Sequence, residues 1–260
     1  MFYHSNSVAK TTMKEVTYIL IVKYDGTEYY GWQRQPDLPT IQGSLEEVLS
    51  RLWDSRINTI GASRTDAGVH SLGQCVSFPA NRKFEPEDIL KRANMMLPED
   101  IAIDSVRITS ERFHARFDAI KKRYRYKILT EKDPIQARFG WWLNIMMPSD
   151  DFLDILNRIS GHIIGEHNFS AFSIIKDLPE KPICNISMAK WILQEKQIHF
   201  IIEGNRFIHK MVRSLVGAML GVVRGKWSEQ IFIDMLNRAE RIIQYRVAPP
   251  QGLILERVYY

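Results

Sequence analysis

An α+β fold, built on one continuous antiparallel sheet with helices on one side, is what this sequence predicts. Three observations lead there. Short apolar or alternating segments of strand length recur along the chain, separated by stretches with apolar residues at helical spacing. The signals come in the order β-α-β-β-α-β in the first half, and a nearly matching order returns in the second. Hydrophobic residues make up 45% of the 260 and charged residues 25%, a globular balance that excludes wholesale disorder.

Each element has its own signal. YILIVKYDG, from Tyr18 to Gly26, is an apolar run closed by an Asp-Gly turn and reads as a buried strand. TIQGSLEEVLSRLW carries Ile41, Leu45, Val48, Leu49 and Leu52 at helical spacing, with Ser44 and Glu47 as a capping box if the helix begins late. INTIGA and GQCVSF are short strands. EPEDILKRANMML puts Ile89, Ala93 and Met96 on one helix face and stops at Pro98. IAIDSVRIT alternates as a strand. In the second half KRYRYKIL is a strand and SDDFLDILNRISGHI a helix with Phe152, Ile155, Leu156 and Ile159 inward. ISMAKWIL and IHFIIEG form a hairpin across Gln194 to Gln197. A helix from about Phe207 to Val223, another from Ser228 to Arg241, and the strand GLILERVYY close the chain.

That order is the split βαβ, or ferredoxin-like, arrangement also used by RNA-recognition motifs. The chain therefore divides into a loose extension over residues 1–15, one ferredoxin-like half over 16–115 and a second over 116–260. Sheets of this topology bind along their open face, and two side by side form a long cleft.

Charge distribution says more than its total of +5. From Glu111 to Lys127 there are seven basic side chains against two acidic, and from Asn205 to Trp227 five against none. Two concentrated basic zones on an acidic remainder point to an anionic partner met at defined places, or to two solvated faces. Cys75 and Cys184 form no CxxC and are expected as reduced thiols in a cytoplasmic protein. The longest apolar run, Ser214 to Val223, has ten residues between two arginines and cannot span a bilayer, so no membrane is expected. GVVRGKW is one residue short of a phosphate-binding P-loop and ends in Trp227 where Ser or Thr belongs. There is no HExxH, no GxSxG and no dinucleotide fingerprint, so neither a metal nor a cofactor is expected.

The stretch GASRTDAGVHSLGQ, Gly61 to Gln74, places Arg64 and Asp66 in a loop of small residues between two predicted strands. A guanidinium favours the anionic form of a neighbouring carboxylate. Such a carboxylate is a nucleophile for an electrophilic sugar carbon, or else half of a surface ion pair. At the rim of a sheet, Asp66 is expected near the surface. A glycoside hydrolase would need a second carboxylate as acid, and Asp54 and Glu85, the nearest in sequence, stand in no acid motif.

RTDAGVH (Arg64 to His70), flanked by its strands, resembles the signature of the tRNA pseudouridine synthase A family. The resemblance extends over nearly the whole chain: YDGTEYYGWQRQ, NMMLPEDI, FHARFDAIKKRYRYKI, FSAF, NRFIHKMVRSLVG and APPQGLIL follow in the family's order. It implies isomerisation of uridine to pseudouridine at positions 38, 39 and 40 of the tRNA anticodon stem-loop, without a cofactor, by a homodimer that holds tRNA across both subunits. It also implies site residues. Asp66 matches the catalytic aspartate, acting as nucleophile or by removing a sugar proton. Arg64 matches an arginine that helps displace the target base. Tyr124 matches the tyrosine that stacks on uracil, and Arg213 an arginine that partners Asp66. Leu253 is expected against the base, with Arg123, Arg125 and Lys210 as further substrate contacts. Tyr126, Leu72, Met95 and Met96 are expected to be packing residues. Ser63 departs from the pattern, since the family usually has glycine there; if that position needs positive φ, serine costs of order 1 kcal/mol.

Overall fold

The computed structural model describes residues 16–144 and 150–260; the expected N-terminal extension lies outside the described residues. The first half runs β1 (Val16–Tyr24), α1 (Ile41–Trp53), β2 (Ile60–Gly61), β3 (His70–Ala80), α2 (Pro86–Met96) and β4 (Ile101–Thr109). The second runs β5 (Lys121–Leu129), β6 (Trp141–Trp142), α3 (Asp150–Gly161), β7 (Gly165–Asn168), β8 (Ile183–Gln194), β9 (Gln197–Gly204), α4 (Met211–Val223), α5 (Glu229–Arg238) and β10 (Leu253–Tyr259). Together they make a mixed α+β protein with five helices among the described residues and one large sheet, ordered β4-β1-β3-β10-β5-β9-β8-β7.

The sheet is not antiparallel throughout. β10 pairs antiparallel with β5 but parallel with β3, through Ile254 opposite His70 and Leu255 opposite Ser71. This seam joins the halves, and it places the C-terminal strand beside the end of the Arg64–Asp66 loop. Register across it sets Tyr24, Ser71, Leu255, Tyr124 and Ile202 in line on one face.

Two apolar clusters flank the seam. One packs Tyr18, Leu20 and Val22 of β1 with Ile41, Leu45 and Leu49 of α1. The other packs Tyr126, Ile128, Phe200 and Trp191 with Leu156 and Ile159 of α3 and Leu215 and Met219 of α4. Tyr126 is fully buried, as expected. Cys75 and Cys184 are buried, unpaired thiols, and among the described residues no helix is long and apolar enough to cross a membrane.

Several local expectations are corrected. α1 starts at Ile41 because Thr40 caps it, accepting from the Gly43 amide, so there is no Ser44–Glu47 box. The INTIGA strand shrinks to two residues, since Gln42 and Glu46 take the Thr59 carbonyl and amide that a ladder would use. Leu72, Met95 and Met96 are 47%, 77% and 41% exposed rather than packed: Leu72 points away from the buried side of β3, and α2 buries only the narrow stripe of Ile89 and Ala93. α4 begins at Met211, not near Phe207: Lys210 sits in the left-handed region with φ 59° and breaks the helix there. α5 ends at Arg238, where Ala239 takes φ 55°.

Candidate active site

The loop carrying Asp66 is held in place from both sides. Trp32 donates its amide to the Thr65 carbonyl at 3.0 Å, and Gly68 donates to the Tyr29 carbonyl at 3.3 Å. Gln74 clasps Ser63 twice, accepting from its amide at 3.1 Å and donating to its carbonyl at 2.6 Å. The Tyr29–Trp32 segment lies so close that a Cβ on Gly31, where φ is 91°, would stand 2.6 Å from the Thr65 carbonyl oxygen. A Cβ on Gly26 would overlap the Val69 carbonyl at 2.0 Å. The glycines of YDGTEYYGWQRQ thus let one chain segment brace the other.

Asp66 emerges from this brace half-buried, 18% exposed at its side chain. Its Oδ2 accepts from Arg213 Nη1 at 2.7 Å. Arg213 is itself fixed, donating from Nε to the Ala248 carbonyl at 2.8 Å, while the Ala248 amide returns a bond to the Arg213 carbonyl at 3.1 Å. On the other oxygen, His209 Nε2 lies 3.5 Å from Oδ1, and its Nδ1 is 2.7 Å from Asp177. His209 lies inside NRFIHKMVRSLVG, where nothing in the sequence set it apart from its neighbours, and Asp177, at the end of a short 3-10 turn over Ile175–Asp177, carried no signal; the fold brings the two together.

Asp66, Arg213, His209 and Asp177 line one cleft of about 1050 Å³, together with Tyr124, Leu253, Lys210 and Arg64. The Tyr124 hydroxyl is 2.6 Å from Ser63 Oγ, and its ring meets Phe207 edge-on at 5.1 Å. Burial pushes the Tyr124 phenol above the ordinary tyrosine range; the Ser63 hydrogen bond works against this and the Asp66 charge adds to it. The ring therefore presents a neutral hydroxyl. Ser63 is not among the residues with positive φ, so the feared backbone penalty does not arise. Its hydroxyl instead anchors Tyr124.

Three expectations change. Arg64, two residues before Asp66, makes no ion pair with it and is exposed at the cleft rim; among the described residues the guanidinium beside the carboxylate is that of Arg213 alone, the partner the resemblance implied. Arg123 and Arg125 do not reach the cleft. They point from the opposite face of β5, where Arg123 Nε lies 2.6 Å from Glu203 and Arg125 Nε 2.9 Å from Glu256, the latter off the hydrogen-bonding line. Finally, the cleft floor carries Lys122 and Tyr124, which share a face with the residues that α3 and α4 cover. The cleft therefore opens on the helix-bearing face at the seam, not on the open face of the sheet.

A family model described as tRNA pseudouridine synthase matches residues 20–118 and 159–260. A tRNA pseudouridine synthase A from Methylacidiphilum infernorum (isolate V4) is 38% identical over 247 residues, covering 94% of this chain and 96% of that one. The corresponding protein of Chlorobium luteolum is 38% identical over 242 residues, covering 93% and 94%. That of Thermotoga sp. (strain RQ2) is 33% identical over 245 residues, covering 92% and 98%. Among solved structures, a chain of a Cbf5-Nop10-Gar1 complex superposes with a TM-score of 0.32 at 10% identity over 76% of this chain and 52% of that one, too slight a likeness to argue from.

Proposed function

The chain belongs to the tRNA pseudouridine synthase family, and from that premise we propose that it forms pseudouridine at positions 38, 39 and 40 of the tRNA anticodon stem-loop, with Asp66 as the reacting carboxylate. The reaction is an isomerisation. The bond from C1′ to N1 breaks, the uracil turns, C1′ joins C5, C5 loses its proton and N1 gains one.

One observation supports this reading above the rest: the Asp66 carboxylate, held by Arg213 at 2.7 Å, stands in the wall of a cleft floored by Tyr124. Because Arg213 is tied to the Ala248 carbonyl, the carboxylate keeps its direction when substrate enters. Fixing a reacting group in advance removes a reorganisation cost from the barrier. Tyr124, a neutral phenol in the same cleft, is suited to stack on the uracil and to exchange the C5 proton. Leu253 closes the apolar side, Lys210 adds a cation, and Arg64 at the rim is placed to fill the gap that a flipped nucleotide leaves.

We read the two sides of the seam as ferredoxin-like halves dividing near residue 115. Strand order β4-β1-β3, with β2 beside β3, and the separate apolar clusters support that division. A cytoplasmic homodimer gripping one tRNA belongs to the same reading.

The test is Asp66→Asn. Chemical mapping of tRNA from cells carrying only this variant should find uridine unmodified at the three positions, while purified variant still binds tRNA. Pseudouridine at wild-type levels would overturn the assignment, and release of free uracil by the wild type would favour a hydrolase.

A further inference from the structure

The cleft holds more positive charge than its chemistry uses. Its two carboxylates are both occupied, Asp66 by Arg213 and His209, and Asp177 by His209. Arg64, Arg116, Lys122, Arg206 and Lys210 line the same space, and among the described residues none of them has a carboxylate partner.

Lys122 stands apart within this set. It is 8% exposed, on the same face of β5 as Tyr124 and two residues from it. A buried ammonium ordinarily has a paired acid or a full set of acceptors. Lys122 has neither. Its neighbours across the ladders are Gly204 in β9 and Val258 in β10, which offer no side-chain acceptor. The charged groups acting on it, Arg116 from the segment before β5 and Arg206 from the turn after β9, are both cations. Three positive side chains from three segments are thus held together against their mutual repulsion, around a space that opens beside the uracil platform. Such an arrangement is stable only at a cost, and it becomes favourable when an anion enters.

We propose that Lys122, Arg116 and Arg206 form a seat for one phosphodiester of the RNA strand, next to the nucleotide held over Tyr124. The inference rests on the reading that the substrate is RNA and adds the place where its backbone is gripped. Arg116 and Arg206 are exposed and supply the planar forks that suit phosphate oxygens. Lys122 supplies a point charge from below, in a desolvated position where attraction is strong.

A consequence separates this seat from general basicity. Burial, and then the charges of Arg116 and Arg206, pull the Lys122 ammonium from 10.5 down to about 8. A bound phosphate favours the charged form, so the seat takes up a proton when it fills near or above that value. Proton uptake on filling is therefore expected at pH 8 and above, and falls away as the pH is lowered well below that value.

The experiment compares wild type, Lys122→Met and Lys122→Arg with a tRNA anticodon stem-loop, by binding titrations across salt and by calorimetry at pH 8 in two buffers of different ionisation enthalpy. Lys122→Met should bind at least about tenfold more weakly, with the slope of log affinity against log salt reduced by about one. Lys122→Arg should retain binding within a few-fold and lose the proton uptake, since arginine stays charged. Lys122→Met binding with wild-type affinity and slope would overturn the seat. So would proton uptake that is the same in wild type and Lys122→Arg. Pseudouridine mapping on the wild type decides the preceding reading by itself, because the seat is judged by binding alone.

Discussion

Strand β5 carries cations on both of its faces, and the fold treats them in opposite ways. On the odd-numbered face, Lys121 and Arg123 converge on Glu203, at 2.5 and 2.6 Å, and Arg125 faces Glu256. Those three cations each face a carboxylate, while Lys127 on the same face donates to the Gln136 side-chain amide. On the even-numbered face Lys122 has no acid, and Arg116 and Arg206 crowd it instead. Neutralised charge stabilises the sheet and is closed to a ligand, whereas frustrated charge weakens the free protein and is open to one. Both faces come from a single run of basic residues, so local charge density alone does not identify a binding surface.

The largest effect expected in this comparison is at the partner of Asp66. Arg213→Met leaves a half-buried carboxylate without its guanidinium, and single-turnover pseudouridine formation should fall by about 10²–10³-fold. Retention of the wild-type rate would show that the Arg213–Asp66 contact is only structural. Tyr124→Phe removes the hydroxyl but keeps the ring. Its rate should fall by up to about 10²-fold with tRNA affinity held, and unfolding should report a loss of about 1 kcal/mol from the Ser63 bond. An affinity loss with an unchanged rate would reverse the roles given to ring and hydroxyl.

Lys122 and Arg123, neighbours on opposite faces, give the sharpest contrast in stability. The folded-state value of Lys122 lies below its unfolded one, so the unfolded chain binds more protons between about 8 and 10.5. The stability penalty is full below about pH 8 and disappears as pH rises through that window. Lys122→Met should therefore melt higher than wild type at pH 7, by roughly 5 °C, and the gap should close toward pH 10.5. A variant that melts lower would mean the lysine is satisfied in a way the faces do not suggest. The smallest effect is expected at Arg123→Met, with tRNA affinity and salt slope unchanged within about twofold and stability lower by about 1 kcal/mol. Burial raises the Glu203 carboxyl, but Lys121 and Arg123 outweigh it and hold it below the ordinary value. Its contribution is present above the ordinary glutamate value and is lost as pH falls through the lowered one. Melting in Arg123→Met should accordingly be less sensitive to acid than in wild type.

Much of this was legible in the chain. Periodicity with its start and stop signals gave all five helices, α4 read four residues too early and α5 three residues past its end, and most of the long strands. The RTDAGVH stretch identified the loop, and the distant NRFIHKMVRSLVG motif identified Arg213. Short pieces such as β6 and β7, of two and four residues, carry too little pattern to be read. β2 was overread because the side chains that cap its backbone groups lie in α1.

Sequence by itself determined which side chains this protein has and which of them alternate, since a strand's period of two is a local property of the backbone. It separated Lys122 and Tyr124 from Arg123 and Arg125 without saying which pair meets a cleft. Tertiary structure decided that. The partner of Arg123 is 80 residues away and the partner of Asp66 is 147 away, each brought into reach by sheet register and by the parallel seam between β3 and β10. Whether a charge is cancelled or left free depends on what stands within a few ångströms of it, and that distance is set by the fold.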